Sequence, residues 1–185
     1  CAQSGRHLVP PAPQDRQIVT LTLPADVRAA LDRLERAGFA AYIVGGAVRD
    51  ALRGVPPHDF DLCTAATPDE MHAVFADCRT VDTGLKHGTV TVLMDADPLE
   101  ITTFRVETGY SDRRHPDEVR FVRDLTADLA RRDFTINAVA WSPARGLADP
   151  FGGQADLAAG VLRAVGEPSR RFAEDALRIL RGLRL

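Results

Sequence analysis

Val44-Gly45-Gly46-Ala47-Val48-Arg49-Asp50, followed by Asp59-Phe60-Asp61-Leu62, is the stretch on which the fold turns. The apolar run Phe39 to Val44 reads as a short buried strand, two glycines break it, and Ala47 to Leu52 reads as a short helix closed by Gly54. Glycine carries no Cβ, so backbone at Gly45 and Gly46 can approach a ligand closely. A helix that opens directly behind such a bend offers free N–H groups to an anion. Arg49 falls in its first turn, where a cation opposes the helix dipole unless an anion is present. The plain alternative is a tight strand–helix turn with a solvated arginine.

The second half of the stretch reads as a strand, Phe60 to Thr64. A period of two puts Asp59 and Asp61 on one face and Phe60 and Leu62 on the other. Two carboxylates about 6–7 Å apart by strand rise repel each other unless a cation lies between them. Hard oxygen donors suit Mg²⁺, which takes substrate phosphates as further ligands. Glu100 lies inside the β-branched run Leu99 to Arg105, a position its type disfavours. A strand paired beside Asp59 and Asp61 would bring it to the same site; otherwise it is a solvent-facing acid.

Outward from this centre, Leu23-Pro24-Ala25-Asp26 opens an amphipathic helix to about Ala37, with Val27, Leu31 and Leu34 on one face. Thr67-Pro68-Asp69-Glu70 spells a capping box and starts a helix to about Phe75. Gly88 to Met94 and Leu99 to Arg105 read as paired strands around a turn at 95–98. Glu107 to Glu118 is polar and reads as mobile. A helical turn or two precedes Arg132, and Phe134 to Trp141 is apolar. Leu147 to Gly153 is a loop around Asp149-Pro150-Phe151-Gly152-Gly153, Val161 to Val165 a further strand, and Phe172 to Leu185 a single helix still running at its end. Strands and helices interleave around one sheet, an α+β arrangement.

The composition agrees with a folded unit. The chain has 185 residues, 45% hydrophobic and 26% charged, enough to close a core and far from the make-up of disordered or fibrous chains. No apolar run approaches the roughly 20 residues that span a bilayer, so no membrane partner is expected. Three scattered cysteines make no disulfide framework or zinc site and point to a reducing compartment. With no signal-peptide pattern, a cytoplasmic protein is expected. The net charge of −3 is uneven: residues 1–112 hold 10 basic and 16 acidic side chains, residues 113–185 hold 13 and 10. That division suits cations in one half and polyanions in the other.

Two further segments concentrate charge. Arg131-Arg132-Asp133-Phe134-Thr135-Ile136-Asn137 sets two cations, an acid and an amide beside an apolar segment. Glu174-Asp175-Ala176-Leu177-Arg178-Ile179-Leu180-Arg181-Gly182-Leu183-Arg184, taken as helix, makes Asp175 and Arg178 i,i+3 neighbours. Arg178, Arg181 and Arg184 then form a stripe drifting over roughly 120°, with Leu177 and Leu180 on the packed side.

In order and spacing, Gly45-Gly46-Ala47-Val48-Arg49-Asp50, Asp59-Phe60-Asp61, Arg131 to Ala138, Asp149-Pro150-Phe151-Gly152-Gly153 and Glu174-Asp175-Ala176-Leu177-Arg178 resemble class II tRNA nucleotidyltransferases (CCA-adding enzymes) and bacterial poly(A) polymerases. These belong to the DNA polymerase β-like nucleotidyltransferase superfamily. The resemblance covers about Ala41 to Leu185. It implies a head domain with a small mixed sheet flanked by helices, followed by the start of a helical neck: a flexible leader over 1–22, the head over 23–145 and the neck over 146–185. It implies that Asp59 and Asp61 bind Mg²⁺, with Glu100 as third acid. It implies that Gly45, Gly46 and Arg49 hold the triphosphate, that Arg132 binds nucleotide, and that Asp133 and Asn137 fall where the family contacts the ribose. Asp175 and Arg178 match the pair that reads the base, with Arg181 and Arg184 as further contacts. Tyr110 to Glu118, including Asp112-Arg113-Arg114, matches a flexible loop. The implied substrates are CTP, ATP and the 3′ end of tRNA, and a homodimer is an assembly left open. A poly(A) polymerase, an enzyme adding only CC or only A, and an inactive nucleotide- or RNA-binding module are the alternatives.

Base choice has its own physical argument. Cytosine and adenine each show an exocyclic amine beside a bare ring nitrogen. A carboxylate accepts from the amine while a guanidinium donates to the ring nitrogen. Uracil and guanine would set acceptor against acceptor and donor against donor, leaving polar groups unpaired at about 1–3 kcal/mol each. An Asp175–Arg178 pair could therefore select C and A without a template.

Overall fold

The computed structural model describes residues 21–94, 97–111, 114 and 116–185. The expected leader lies almost wholly outside these residues, as do the centre of the turn at 95–98 and Asp112 and Arg113 of the expected loop.

A mixed seven-stranded sheet organises the chain, in the order β3-β4-β5-β2-β1-β8-β9. Its strands are β1 (Ala41–Val44), β2 (Asp61–Thr64), β3 (Arg79–Gly84), β4 (Thr89–Leu93), β5 (Pro98–Thr103), β8 (Ala140–Ser142) and β9 (Gly146–Ala148). All neighbours pair antiparallel except β2 and β5. The parallel pair arises because α3 (Pro68–Val74), β3 and β4 carry the chain round before β5 returns beside β2.

Alternation along the strands divides two cores. Ile43, Leu62, Val90, Val92 and Ile101 face α1 (Ala25–Arg36) and α3, packing on Val27, Leu31, Leu34, Met71 and Phe75. Val44, Cys63 and Ala140 face the other way, onto Phe104, Leu129, Ala138 and Val165. The α1 stripe is the one its spacing predicts. Thr67 forms the full capping box: its hydroxyl accepts from Glu70 N at 3.4 Å, and the Glu70 carboxylate accepts from Thr67 N at 2.8 Å.

Several expectations are corrected. β3 was not anticipated; it is an exposed edge strand with a register shift between Val81 and Gly84, so it lacks the apolar alternation that marks a strand. The ends of the segment expected to be mobile form a second, two-stranded sheet of β6 (Arg105–Thr108) and β7 (Glu118–Phe121). Val161 to Val165 makes no strand, only an isolated bridge between Ala164 and Phe134. β9 draws Leu147 and Ala148 into the sheet, out of the expected loop.

The expected single helix Phe172 to Leu185 is two. α6 (Pro168–Glu174) ends at Asp175, whose backbone is extended at φ −144°, and α7 (Leu177–Arg184) begins after it. The Asp175 carboxylate accepts from Leu177 N at 2.9 Å, a local side-chain-to-backbone bond that competes with continuing the old helix. α7 also turns the reverse of its expected face: Arg178 is buried, while Leu177, Leu180 and Leu183 are 39%, 62% and 82% exposed. Gly182 seats the helix, since a Cβ there would stand 3.0 Å from the Phe134 ring.

Candidate nucleotide-binding site

The diglycine bend sits where β1 ends. Gly45 takes φ +72°, a left-handed conformation that suits glycine. Gly45 N donates to Val139 O at 3.4 Å, and Arg49 N to Gly45 O at 3.1 Å opens α2 (Gly46–Leu52). Asp61 pairs in register with Val44 across the β1–β2 ladder, so its carboxylate arises beside the bend. One step back along the β2–β5 register sets Glu100 beside Asp61 on the same face.

A cleft of about 390 Å³ opens over the bend, lined by Gly45, Gly46 and Asp61 and by residues of both charged segments. Seven arginines outnumber four carboxylates on its wall, an excess of positive charge that suits a polyanion. Of the expected site residues, Arg49, Arg132, Asp133, Asn137, Asp175, Arg178 and Arg181 all reach it. Arg184 does not: it lines a separate cleft with Arg53 and Leu157. Six residues of helix turn it about 120° from Arg178.

The expected local conflict at Arg49 is relieved by protein partners: Nε donates to Asp50 at 3.0 Å and Nη1 to Asn137 Oδ1 at 2.8 Å. Asn137 Nδ2 in turn donates to Asp133 Oδ1 at 3.2 Å, and Asp133 Oδ2 stands 3.6 Å from Arg181. Arg181 continues to Asp175 at 3.4 Å. One polar chain thus runs from α2 to α7 along the cleft. Asp175 and Arg178 are not paired with each other. Arg178 Nη1 donates to Glu174 at 2.9 Å and to Arg171 O at 3.0 Å, leaving its Nε uncommitted among the described residues.

Beneath the cleft lies a charged floor that sequence reasoning missed. Glu107 Oε1 accepts from Arg105 Nε at 2.8 Å and Arg131 Nη1 at 3.2 Å, and Oε2 accepts from the Tyr110 hydroxyl at 2.8 Å. Burial pushes the Glu107 carboxyl up, but Arg131 and Arg105 together hold it below the ordinary glutamate range. Burial, and then the bond to Glu107, push the Tyr110 phenol up to about 12. The Arg178 guanidinium lies 6.0 Å over the Tyr110 ring. The signal available was the alternation in Arg105-Val106-Glu107-Thr108, hidden in a segment read as polar and mobile. Asp149 proves structural: it accepts from Gly153 N at 2.7 Å and Gln154 N at 2.9 Å, capping α5 (Gly153–Ala158). Cys63 is buried, and burial raises its thiol, so it is a packing residue.

Asp61 also lines a second cleft, of about 550 Å³, with Asp59, Asp97 and Glu100. Asp59 precedes β2 and lies outside the ladder. Asp59, Asp61 and Glu100 are exposed and make no hydrogen bond or ion pair with the described residues. Uncommitted carboxylate oxygens facing a shared cleft are the donor type a hard divalent cation takes, so the chemistry fits Mg²⁺. Among the described residues, no group of three or more His, Cys, Asp or Glu side chains is gathered closely enough to hold a metal ion.

Residues 41–163 match the family model described as the poly(A) polymerase head domain. The chain belongs to that family. It is 52% identical over 159 residues to a CCA-adding enzyme of Pediococcus pentosaceus, covering 86% of this chain and 40% of the relative. It is 54% identical over 166 residues to one of Leuconostoc citreum, covering 88% and 41%. A crystal structure of the Bacillus stearothermophilus CCA-adding enzyme in complex with CTP superposes at a TM-score of 0.76 and 42% identity, over 85% of this chain and 37% of that one. The mixed sheet flanked by helices is therefore a nucleotidyltransferase head, as the resemblance implied. The chain spans about two fifths of the length of these curated relatives.

Proposed function

We propose that this chain is the catalytic head of a CCA-adding tRNA nucleotidyltransferase, which adds C and A to the 3′ end of tRNA from CTP and ATP without a nucleic-acid template. The observation that carries this reading is the single cleft in which the Gly45-Gly46 bend, Asp61, Arg132, Asp175 and Arg178 meet. Relatives near 50% identity named CCA-adding enzymes support it. The reaction is attack of the RNA 3′-hydroxyl on the nucleotide α-phosphate, with pyrophosphate leaving. Arg132 and the backbone at Gly45 and Gly46 hold the triphosphate, and Asp133 and Asn137 orient the ribose. Asp175 accepts from the base amine while the uncommitted Arg178 Nε donates to the ring nitrogen. Asp59 and Asp61 would hold Mg²⁺, with Glu100 as a third acid lining the same cleft, and the ion would supply Lewis-acid stabilisation of the charge that develops on the reacting phosphate. Such an enzyme works with tRNA in the cytoplasm. No helix among the described residues is long and apolar enough to cross a membrane.

The test is incubation with Mg²⁺, a tRNA lacking its 3′ end, and one nucleotide at a time. CTP and ATP are incorporated, UTP and GTP are rejected, Asp61→Ala abolishes turnover with the fold retained, and Asp175→Ala relaxes base choice. Incorporation of all four nucleotides by the unaltered chain contradicts the base-reading assignment. Long A tails from ATP alone identify a poly(A) polymerase, and binding without turnover an inactive module.

A further inference from the structure

Asp128 lies on α4 (Leu125–Ala130), with no solvent-exposed side-chain surface, directly under the arginine cleft. Its Oδ1 accepts from Arg131 Nε at 3.0 Å and from Arg105 N at 3.1 Å. Its Oδ2 is buried without a hydrogen-bond partner, 3.8 Å from Arg132 Nη2. Arg132 Nε is likewise buried without a partner. Buried polar atoms are almost always satisfied, and a buried charge without compensation is costly, so both orphans require explanation.

The two consecutive arginines are treated differently. Arg131 is engaged at both ends inside the protein, Nε on Asp128 and Nη1 on Glu107. Among the described residues, the Arg132 guanidinium has only the 3.8 Å ion pair, longer than a charge-assisted hydrogen bond. Its other terminal nitrogen lies against the bend: a Cβ on Gly45 would stand 3.2 Å from Arg132 Nη1.

We propose that Asp128 is a positioning residue: a buried anion that anchors Arg131 in the protein and holds Arg132 turned toward the Gly45 bend, ready for the triphosphate of the incoming nucleotide. Without that charge, two adjacent guanidiniums repel each other over Glu107 alone, and nothing holds Arg132 in place. The inference rests on the nucleotide-binding reading above and deepens it.

Asp128→Asn keeps the shape and the Oδ1 acceptor for Arg105 N but removes the charge. By titration calorimetry on the full chain, it weakens CTP and inorganic triphosphate alike, by about tenfold. Added to Arg132→Gln, it costs little more, because the group it positions is gone. A purely structural role gives another result: a lower melting temperature with unchanged triphosphate affinity, or a full additive loss in the double variant, and either overturns the proposal. An unaltered chain that binds neither probe overturns the nucleotide reading and this inference together. An unaltered chain that binds both, beside a variant that binds equally well, removes only the inference. A measurement free of any folding defect uses the unaltered protein: on adding triphosphate, the Arg132 Nε–H NMR signal shifts while that of Arg131 stays. A shift at Arg131 with none at Arg132 refutes the division between them.

Discussion

Glu107 shows how one side chain sets the character of the floor. It accepts from Arg105 and Arg131 and from the Tyr110 hydroxyl, so three side chains meet on one carboxylate. Its folded pKa is held down, so its contribution to stability is fully present above the ordinary glutamate value of 4.5 and is lost as pH falls through the depressed folded value. Glu107→Gln should therefore lower the melting temperature at pH 7 and flatten its fall below about pH 4.5. Melting curves from pH 3 to 7 check this; an acid limb identical to that of the unaltered chain excludes Glu107 as its source. The residue was illegible in the sequence because nothing local to a polar segment says which arginines will fold over it. Gly45 was legible for the opposite reason: the bend it makes, at φ +72°, depends on neighbours within a few positions.

At the scale of elements, the capping box and the α6–α7 junction make an instructive pair. Thr67 to Glu70 is a self-contained pattern whose partners lie three residues apart, and it forms as written. Thr67→Ala should cost about 1 kcal/mol. Urea unfolding would show this as a lower midpoint with an unchanged slope; an unmoved midpoint would mean that the box contributes nothing. The segment Glu174 to Arg184 carries an equally clear helical pattern, yet it breaks at Asp175. There the competing bond from Leu177 N to the aspartate outweighs continuation. Of its three arginines Arg178 turns inward, because it finds Glu174 and two backbone carbonyls there. Amphipathic spacing identifies two faces but not which one is covered.

Over the whole molecule, two distant charged segments meet at the bend, and arginines outnumber carboxylates in the cleft between them, which on the proposed reading serves nucleotide binding. Nucleotide should therefore stabilise the fold by mass action, by about 2.7 kcal/mol at a free CTP concentration one hundred times its Kd. Thermal melting with CTP checks this, and the shift should shrink as salt rises because the site is partly open to solvent. A shift indifferent to salt would argue that the arginines do not carry the binding.

The sequence by itself determined the strand–bend–helix, the α1 stripe and the capping box, because each is decided by backbone freedom, side-chain period or bonds between near neighbours. Only the tertiary structure decided that Asn137 meets Arg49, that Asp175 pairs with Arg181 rather than Arg178, and that Asp128 and Glu107 hold the arginine floor. Those contacts join residues up to 88 positions apart, and buried charges choose their partners by which carboxylate the fold brings within reach.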